Sequence, residues 1–245
     1  MGFGRPWGVP GQFKTPPSDV DAQAFLDAAL KAGIKVFDTA KAYGKSEERL
    51  GKWLFSLDPN VRSHIFVATK VGEFWNNERG WINHEAASMK GALASSVGRL
   101  GKISLLQIHQ ADVAFENPRA MAVIQKILDY SVQQYEIPFF GASVKTLAAA
   151  KTTIYDPRFT HLQVPRDLYL QLGAKELHDA ASMTIMVNRP FGQGSLAKQS
   201  EGQNPFEQIL QVPFDGNLIV LTGTSNAAHL RQNNNAFSAA TNNLA

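Results

Sequence analysis

At 245 residues, 44% of them hydrophobic, the chain is long enough to bury one large core, and barrels of this size commonly form a single unit. The absence of cysteine excludes disulfides, thiolate catalysis and Cys-based zinc sites, and it is compatible with a reducing compartment. A formal charge of only +3, with Lys and Arg scattered, argues against nucleic acid or an anionic membrane as partner.

The opening "MGFGRPWGVPGQF" is too rich in Gly and Pro for a signal-peptide core, and no later apolar run approaches membrane-spanning length. A cytoplasmic protein is expected. "GFGRPW" is a weak strand candidate. The helix "SDVDAQAFLDAALKAG" follows, with Ser18 as N-cap, Phe25, Leu26, Ala29 and Leu30 on one face, and Gly33 at its end. The strand "IKVFD" (34–38) precedes "SEERLGKWLFS", whose early acidic residues suit a helix N-terminus. "HIFVATK" (64–70), "SLLQIH" (104–109), "IPFFGAS" (137–143), "THLQVP" (160–165), "MTIMVNRP" (183–190) and "LIVLTG" (218–223) read as further strands. Between and after them, "NHEAASMKGALASSVGRLG", "NPRAMAVIQKILDYSVQQYE", "VKTLAAAKTTI", "DLYLQLGAKELHDAAS", "NPFEQILQ" and "NAAHLRQNNNAFSAA" read as helices. "AKQSEGQNP" (197–205) reads as a surface loop, and no linker divides residues 1–245 into separate domains.

With the weak first segment included, eight strands are each followed by a helix. Apolar strands with helical crossovers indicate a parallel sheet covered by helices, and eight repeats in one domain of about 250 residues predict a closed (β/α)8 barrel. A doubly wound open sheet is the alternative. It would call for a GxGxxG fingerprint after an early strand. Gly2 and Gly4 begin such a pattern, but Trp7 stands where the third glycine belongs.

In a barrel of this kind chemistry gathers at the C-terminal strand ends. Those ends carry Asp38, Lys70 and His109 on three successive strands, with Tyr43 in the loop after the first of them. Singly, each has a plain structural explanation: a helix cap, a solvated cation, a satisfied core histidine. Together, at equivalent ends of neighbouring strands, they point into one cavity. A lysine paired with Asp38 keeps its charge, and an ammonium near a phenol favours the phenolate, so Tyr43 is expected to be made more acidic and to serve as a general acid. His109, donating from a neutral ring, would hold a carbonyl oxygen. No metal-ligand set and no hydride donor accompany these residues, so a cofactor is required.

The stretches "GIKVFDTAKAYGKSEERLGKWL", "FVATKVG", "LLQIHQAD", "FFGASV", "HLQVPRDL", "NRPFGQGSL" and "TGTSNAAHLRQN" together resemble the aldo-keto reductase superfamily, in order and over nearly the whole chain. The resemblance is to a short bacterial-type member. It implies a (β/α)8 barrel that binds NADPH, or NADH, and passes hydride to an aldehyde or ketone. Asp38, Tyr43, Lys70 and His109 match the catalytic tetrad. Ser143 and Gln163 match positions that hold the nicotinamide carboxamide. Pro190, Phe191, Gly192, Gly194, Ser195 and Leu196 match the segment near the pyrophosphate, and Asn188 and Arg189, just before it, are counted with the cofactor-binding residues. Gly223, Thr224, Ser225, Asn226 and His229 match the adenosine-phosphate end, with Arg231 and Asn233 lesser candidates on the same helix.

Several positions depart from the family pattern. Val144 replaces an Asn that makes a carboxamide contact. Asn188 stands where an aromatic often stacks on the nicotinamide. Gly223 and His229 stand where a Lys and an Arg often meet the 2′-phosphate. The N-terminal hairpin that plugs the barrel floor and the long C-terminal loop over the substrate are expected to be missing, leaving an open pocket. Phe74, Trp75 and Trp81, after the third strand, are candidates to line it, or else to pack that loop on the rim. Two other functions fit parts of the pattern. One is a cofactor-binding regulatory or redox-sensing protein with little turnover. The other is a Schiff-base lyase using Lys70, disfavoured because Asp38 would keep that amine protonated.

Overall fold

The structure, a computed structural model, describes residues 3–6, 15–192 and 204–243. Its frame is a parallel sheet of seven strands: β1 (Val36–Asp38), β2 (Phe66–Val71), β5 (Leu105–His109), β6 (Phe139–Ser143), β7 (His161–Pro165), β8 (Thr184–Asn188) and β9 (Asn217–Leu221), paired in that order. The sheet curls into a nearly closed barrel. Val36, Phe66, Ala68 and Leu105 from its first three strands pack against Met186, Ile219 and Leu221 from its last two, a contact that a flat sheet would forbid. The two-residue period of each strand turns these side chains inward and the intervening ones towards the helices.

Helices α1 (Asp19–Lys31), α2 (Ser46–Ser56), α4 (Ala86–Leu100), α6 (Pro118–Tyr135) and α7 (Leu147–Tyr155) form much of the outer layer. Ser18 caps α1 by accepting from the Asp21 N–H, as its place before the apolar face predicts. The Asn and Thr residues before α6 and α7 cap them likewise. Short helices α3 (Pro59–Ser63) and α5 (Ala111–Phe115) carry too few periodic positions to be read from sequence. The predicted helix "DLYLQLGAKELHDAAS" is two pieces, α8 (Arg166–Tyr169) and α9 (Ala174–Asp179), because Gly173 adopts an extended conformation and begins a new helix. Helices α10 (Pro205–Leu210) and α11 (Ala227–Asn242) complete the described set.

The described part of the weak first strand candidate, residues 3–6, is not a strand. Phe3 and Gly4 lie in a turn, packed against the loop that carries Tyr43. A Cβ on Gly4 would sit 1.5 Å from the Tyr43 carbonyl oxygen, and one on Gly44 would sit 2.2 Å from the Gly4 oxygen. These early glycines allow two backbones to touch. Outside the barrel, beside the first and last strands, Phe3, Phe25, Ala29, Ile34 and Leu230 form an apolar cluster joining α1 to α11. At the barrel floor the strand starts bring aromatic rings together: Phe66 stacks on both Phe139 and His161, and Phe139 is tilted against His161, with centroids 5.5–6.3 Å apart.

After β2 the chain makes an antiparallel hairpin, β3 (Glu73–Trp75) with β4 (Gly80–Ile82), which sequence reading treats as a loop. No helix among the described residues is long and apolar enough to cross a membrane.

Candidate active site

Parallel pairing sets Asp38 beside Ala68, one step below Lys70, at the C-terminal end of the barrel. Lys70 is wholly buried. Its Nζ lies 2.6 and 2.5 Å from the two Asp38 carboxylate oxygens and donates to the Thr39 carbonyl at 2.9 Å. Burial alone would depress the ammonium, but Asp38 and Tyr43 outweigh it and leave the lysine raised above its ordinary value. That is the protonated lysine the sequence predicts, and a poor Schiff-base nucleophile.

Two amides complete the carboxylate. Gln107 Nε2 and Gln163 Nε2 each donate to Asp38 Oδ1 at 3.1 Å, the second from four strands away across the barrel. Gln107 is absent from the sequence-derived site. Its signal was available: it precedes His109 by two residues and therefore shares its inward face.

Tyr43 is buried in the β1–α2 loop, with the Lys70 Nζ 5.2 Å from its ring centroid and the His109 ring edge-on at 5.6 Å. Burial holds the phenol above its ordinary pKa, outweighing the opposing pull of Lys70. The net direction is thus opposite to the sequence-based expectation, which weighed the ammonium and not the desolvation. His109 is pushed well below the ordinary imidazole value by burial, then by Lys70 and Arg5, so its ring is neutral near pH 7.

Two further charged residues reach this cluster, and neither was identified from sequence. Glu73, on the hairpin, brings Oε2 to 3.2 Å from His109 Nε2 and accepts from Gln110 Nε2 at 2.9 Å. Arg5 lies 3.4 Å from Glu73 Oε1, donates to the Ala42 carbonyl, and sits over the rings of Tyr43 and Trp75 at 5.4 and 4.9 Å. Both come from segments whose approach depends on the Gly4–Gly44 contact and the β3–β4 pairing, which local sequence does not announce.

The remaining candidates divide. Ser143 is paired beside His109 and Gln163 in the sheet, and Asn188 stands opposite Pro165 one strand on. Asn188 Oδ1 is buried with no hydrogen-bond partner among the described residues. Arg189 is exposed, Pro190 is buried, and Phe191 stacks edge-on against Phe206 at 5.4 Å. Arg189 and Gly192 help line a cleft of about 470 Å³ between the loops after β6, β7 and β8, together with Lys145 and Arg166; none of the tetrad residues lines it. Gly194, Ser195 and Leu196 lie outside the described residues. At the last strand, Gly223 and His229 are exposed, and Thr224, Ser225 and Asn233 are partly so. Asn226 is already committed: its side chain caps α11 by accepting from the N–H groups of Ala228 and His229. Trp75 packs with Ala40, Ala42 and Tyr43, whereas Trp81 stacks on Phe74 at 5.7 Å on the opposite face of the hairpin. Alternation along β3 explains the split, since Glu73 and Trp75 share one face and Phe74 the other.

The family model described as "Aldo/keto reductase family" matches residues 1–211. The chain belongs to the aldo/keto reductase family. Aldo-keto reductase str7 of Strobilurus tenacellus is 30% identical over an alignment of 220 residues that covers 84% of this chain and 61% of the relative. Aldo-keto reductase yakc [NADP(+)] of Schizosaccharomyces pombe is 26% identical over 79% of this chain and 58% of its own length. The chain thus spans about three fifths of the length of these two relatives. Among solved structures, a proposed aldo-keto reductase of Pseudomonas aeruginosa superposes with a TM-score of 0.73 at 26% identity, covering 97% of this chain and 94% of that one. An aldo-keto reductase of Bacillus halodurans, at 19% identity, has a TM-score of 0.72 over 89% and 82% and shares the fold.

Proposed function

We propose that this protein is an NAD(P)H-dependent reductase of aldehydes or ketones, with Tyr43 as the proton donor. The observation that carries the proposal is the meeting of Asp38, Tyr43, Lys70 and His109 at one end of the barrel, where a buried ion pair faces a buried phenol and a neutral imidazole. Membership of the family supports the reaction class.

The raised pKa of Tyr43 means that the phenol carries its proton at neutral pH, as a donor must. When that proton passes to the carbonyl oxygen, the remaining phenolate lies near the Lys70 ammonium, which offsets its charge. Asp38 keeps that ammonium protonated and in place through both carboxylate oxygens. His109, neutral, offers an N–H to the same carbonyl oxygen and orients it without competing as an acid.

A nicotinamide fits the polar groups beside the tetrad. The orphaned Asn188 Oδ1 would be satisfied by a carboxamide N–H, with Ser143 and Gln163 on the adjacent strand ends. Thr224 and Ser225, ahead of α11, are the groups that would meet the adenosine phosphate, with His229 in its first turn. When bound, the reduced nicotinamide supplies the hydride to the carbonyl carbon.

The test is oxidation of NADPH or NADH, followed by absorbance, against aldehydes that include a nitrobenzaldehyde. Tyr43→Phe should abolish turnover and leave cofactor binding, read by tryptophan fluorescence, largely intact. Unchanged turnover in that variant would remove Tyr43 from its role. Tight cofactor binding with negligible turnover on every substrate would favour a sensory protein instead.

A further inference from the structure

We propose that Glu73 is a positioning residue that fixes His109 as the Nε2–H tautomer, so that its N–H is available to the substrate carbonyl. The inference rests on the proposed reduction at Tyr43 and adds to it a residue outside the tetrad.

The geometry allows one protonation pattern at low cost. Glu73 Oε2 stands 3.2 Å from His109 Nε2, with both side chains about nine-tenths buried. A neutral imidazole carries one proton, on Nδ1 or on Nε2. Were it on Nδ1, the Nε2 lone pair would face a carboxylate oxygen at 3.2 Å, acceptor against acceptor, in a site shielded from water. Moreover, Nδ1 is buried with no partner among the described residues, so a proton there would be an unsatisfied buried donor. Both terms put the proton on Nε2.

Glu73 is itself held on several sides. Gln110 Nε2 donates to Oε2 at 2.9 Å, Arg5 stands 3.4 Å from Oε1, and Lys145 Nζ donates to Gln110 Oε1 at 3.1 Å, which orients that amide towards Glu73. Gln110 reaches this position because its backbone is left-handed, with φ of 50°, immediately after the His109 strand end. The contact between Glu73 and His109 is at ion-pair distance without the alignment of a hydrogen bond. The carboxylate thus biases the tautomer from the side and leaves the N–H line open to a carbonyl oxygen.

The full chain, labelled with ¹⁵N and free of cofactor, tests this by long-range ¹H–¹⁵N correlation of the histidine rings. His109→Asn identifies the signals by their loss. Wild type should show a pyrrole-type Nε2 and a pyridine-type Nδ1 at His109. In Glu73→Gln, which is isosteric and neutral, the second tautomer should become populated. Its kcat should fall by about 10- to 100-fold, the scale of a small misplacement of a reacting group, with the dissociation constant for NADPH unchanged. Because Gln preserves the shape of Glu73, a purely structural role would leave the tautomer single. A wild-type proton on Nδ1, a single Nε2–H tautomer retained in the variant, or a lost tautomer preference with kcat unmoved would each overturn the proposal. The spectra need no turnover, so failure of wild type to reduce any aldehyde would count against the proposed function alone.

Discussion

Lys70 grips Asp38 at both carboxylate oxygens, 2.6 and 2.5 Å away, from a position with no solvent exposure. Breaking such a pair from one side leaves an uncompensated charge in the barrel. Lys70→Met or Asp38→Ala should each cost about 3–5 kcal/mol in urea unfolding, because the surviving charge is left unpaired and largely desolvated. The double variant should recover part of that loss. An additive double variant would mean that the two charges do not interact in the folded state.

His161 supplies a prediction in pH. Burial, in the aromatic floor with Phe66 and Phe139, pushes its imidazole down to about 4. Below the unfolded-state value of about 6.5 the unfolded chain takes up a proton that the native ring refuses, so stability falls as pH falls towards about 4 and levels off below it. His161→Phe keeps the stacking and removes the titration. Its urea midpoint should therefore fall less between neutral and mildly acidic pH than that of wild type; parallel curves would refute this.

The Tyr43 loop has its own structural check. Gly44 has φ of +58°, and a side chain there would also strike the Gly4 carbonyl oxygen at 2.2 Å. Gly44→Ala should destabilise the protein by more than about 1 kcal/mol and displace Tyr43, lowering turnover more than cofactor affinity. Gly33→Ala, also at positive φ but with nothing within 4 Å, serves as the control for backbone strain alone. Equal loss of activity in both would detach the Gly4–Gly44 contact from the site.

Inside the barrel, a Cβ added at Gly141 would lie 2.9 Å from the His161 carbonyl oxygen and 3.2 Å from the Gln107 side chain. Gly141→Ala should cost about 1–3 kcal/mol by overpacking, and it should disturb Gln107 and its hydrogen bond to Asp38. A variant as stable and as active as wild type would show that the interior has slack at this level.

Much of this protein is written in local pattern. Apolar segments of five to eight residues, broken by helical periodicity, are enough to place all seven described barrel strands, and the strand-end rule then aligns Asp38, Lys70 and His109. Those features depend on neighbours two to four residues apart, which a linear reading sees directly.

What required the folded chain was every relationship made across distance or by the balance of opposing terms. The β3–β4 hairpin brings Glu73 to His109, and the turn at Gly4 brings Arg5 over Tyr43; neither is encoded by periodicity. Gln163, expected at a cofactor, reaches four strands across to Asp38 because the sheet closes on itself. The direction of the Tyr43 shift depended on how deeply the phenol is buried, a quantity that only packing decides. Local sequence chose the elements and the residue types at their ends; closure of the barrel chose their partners and their protons.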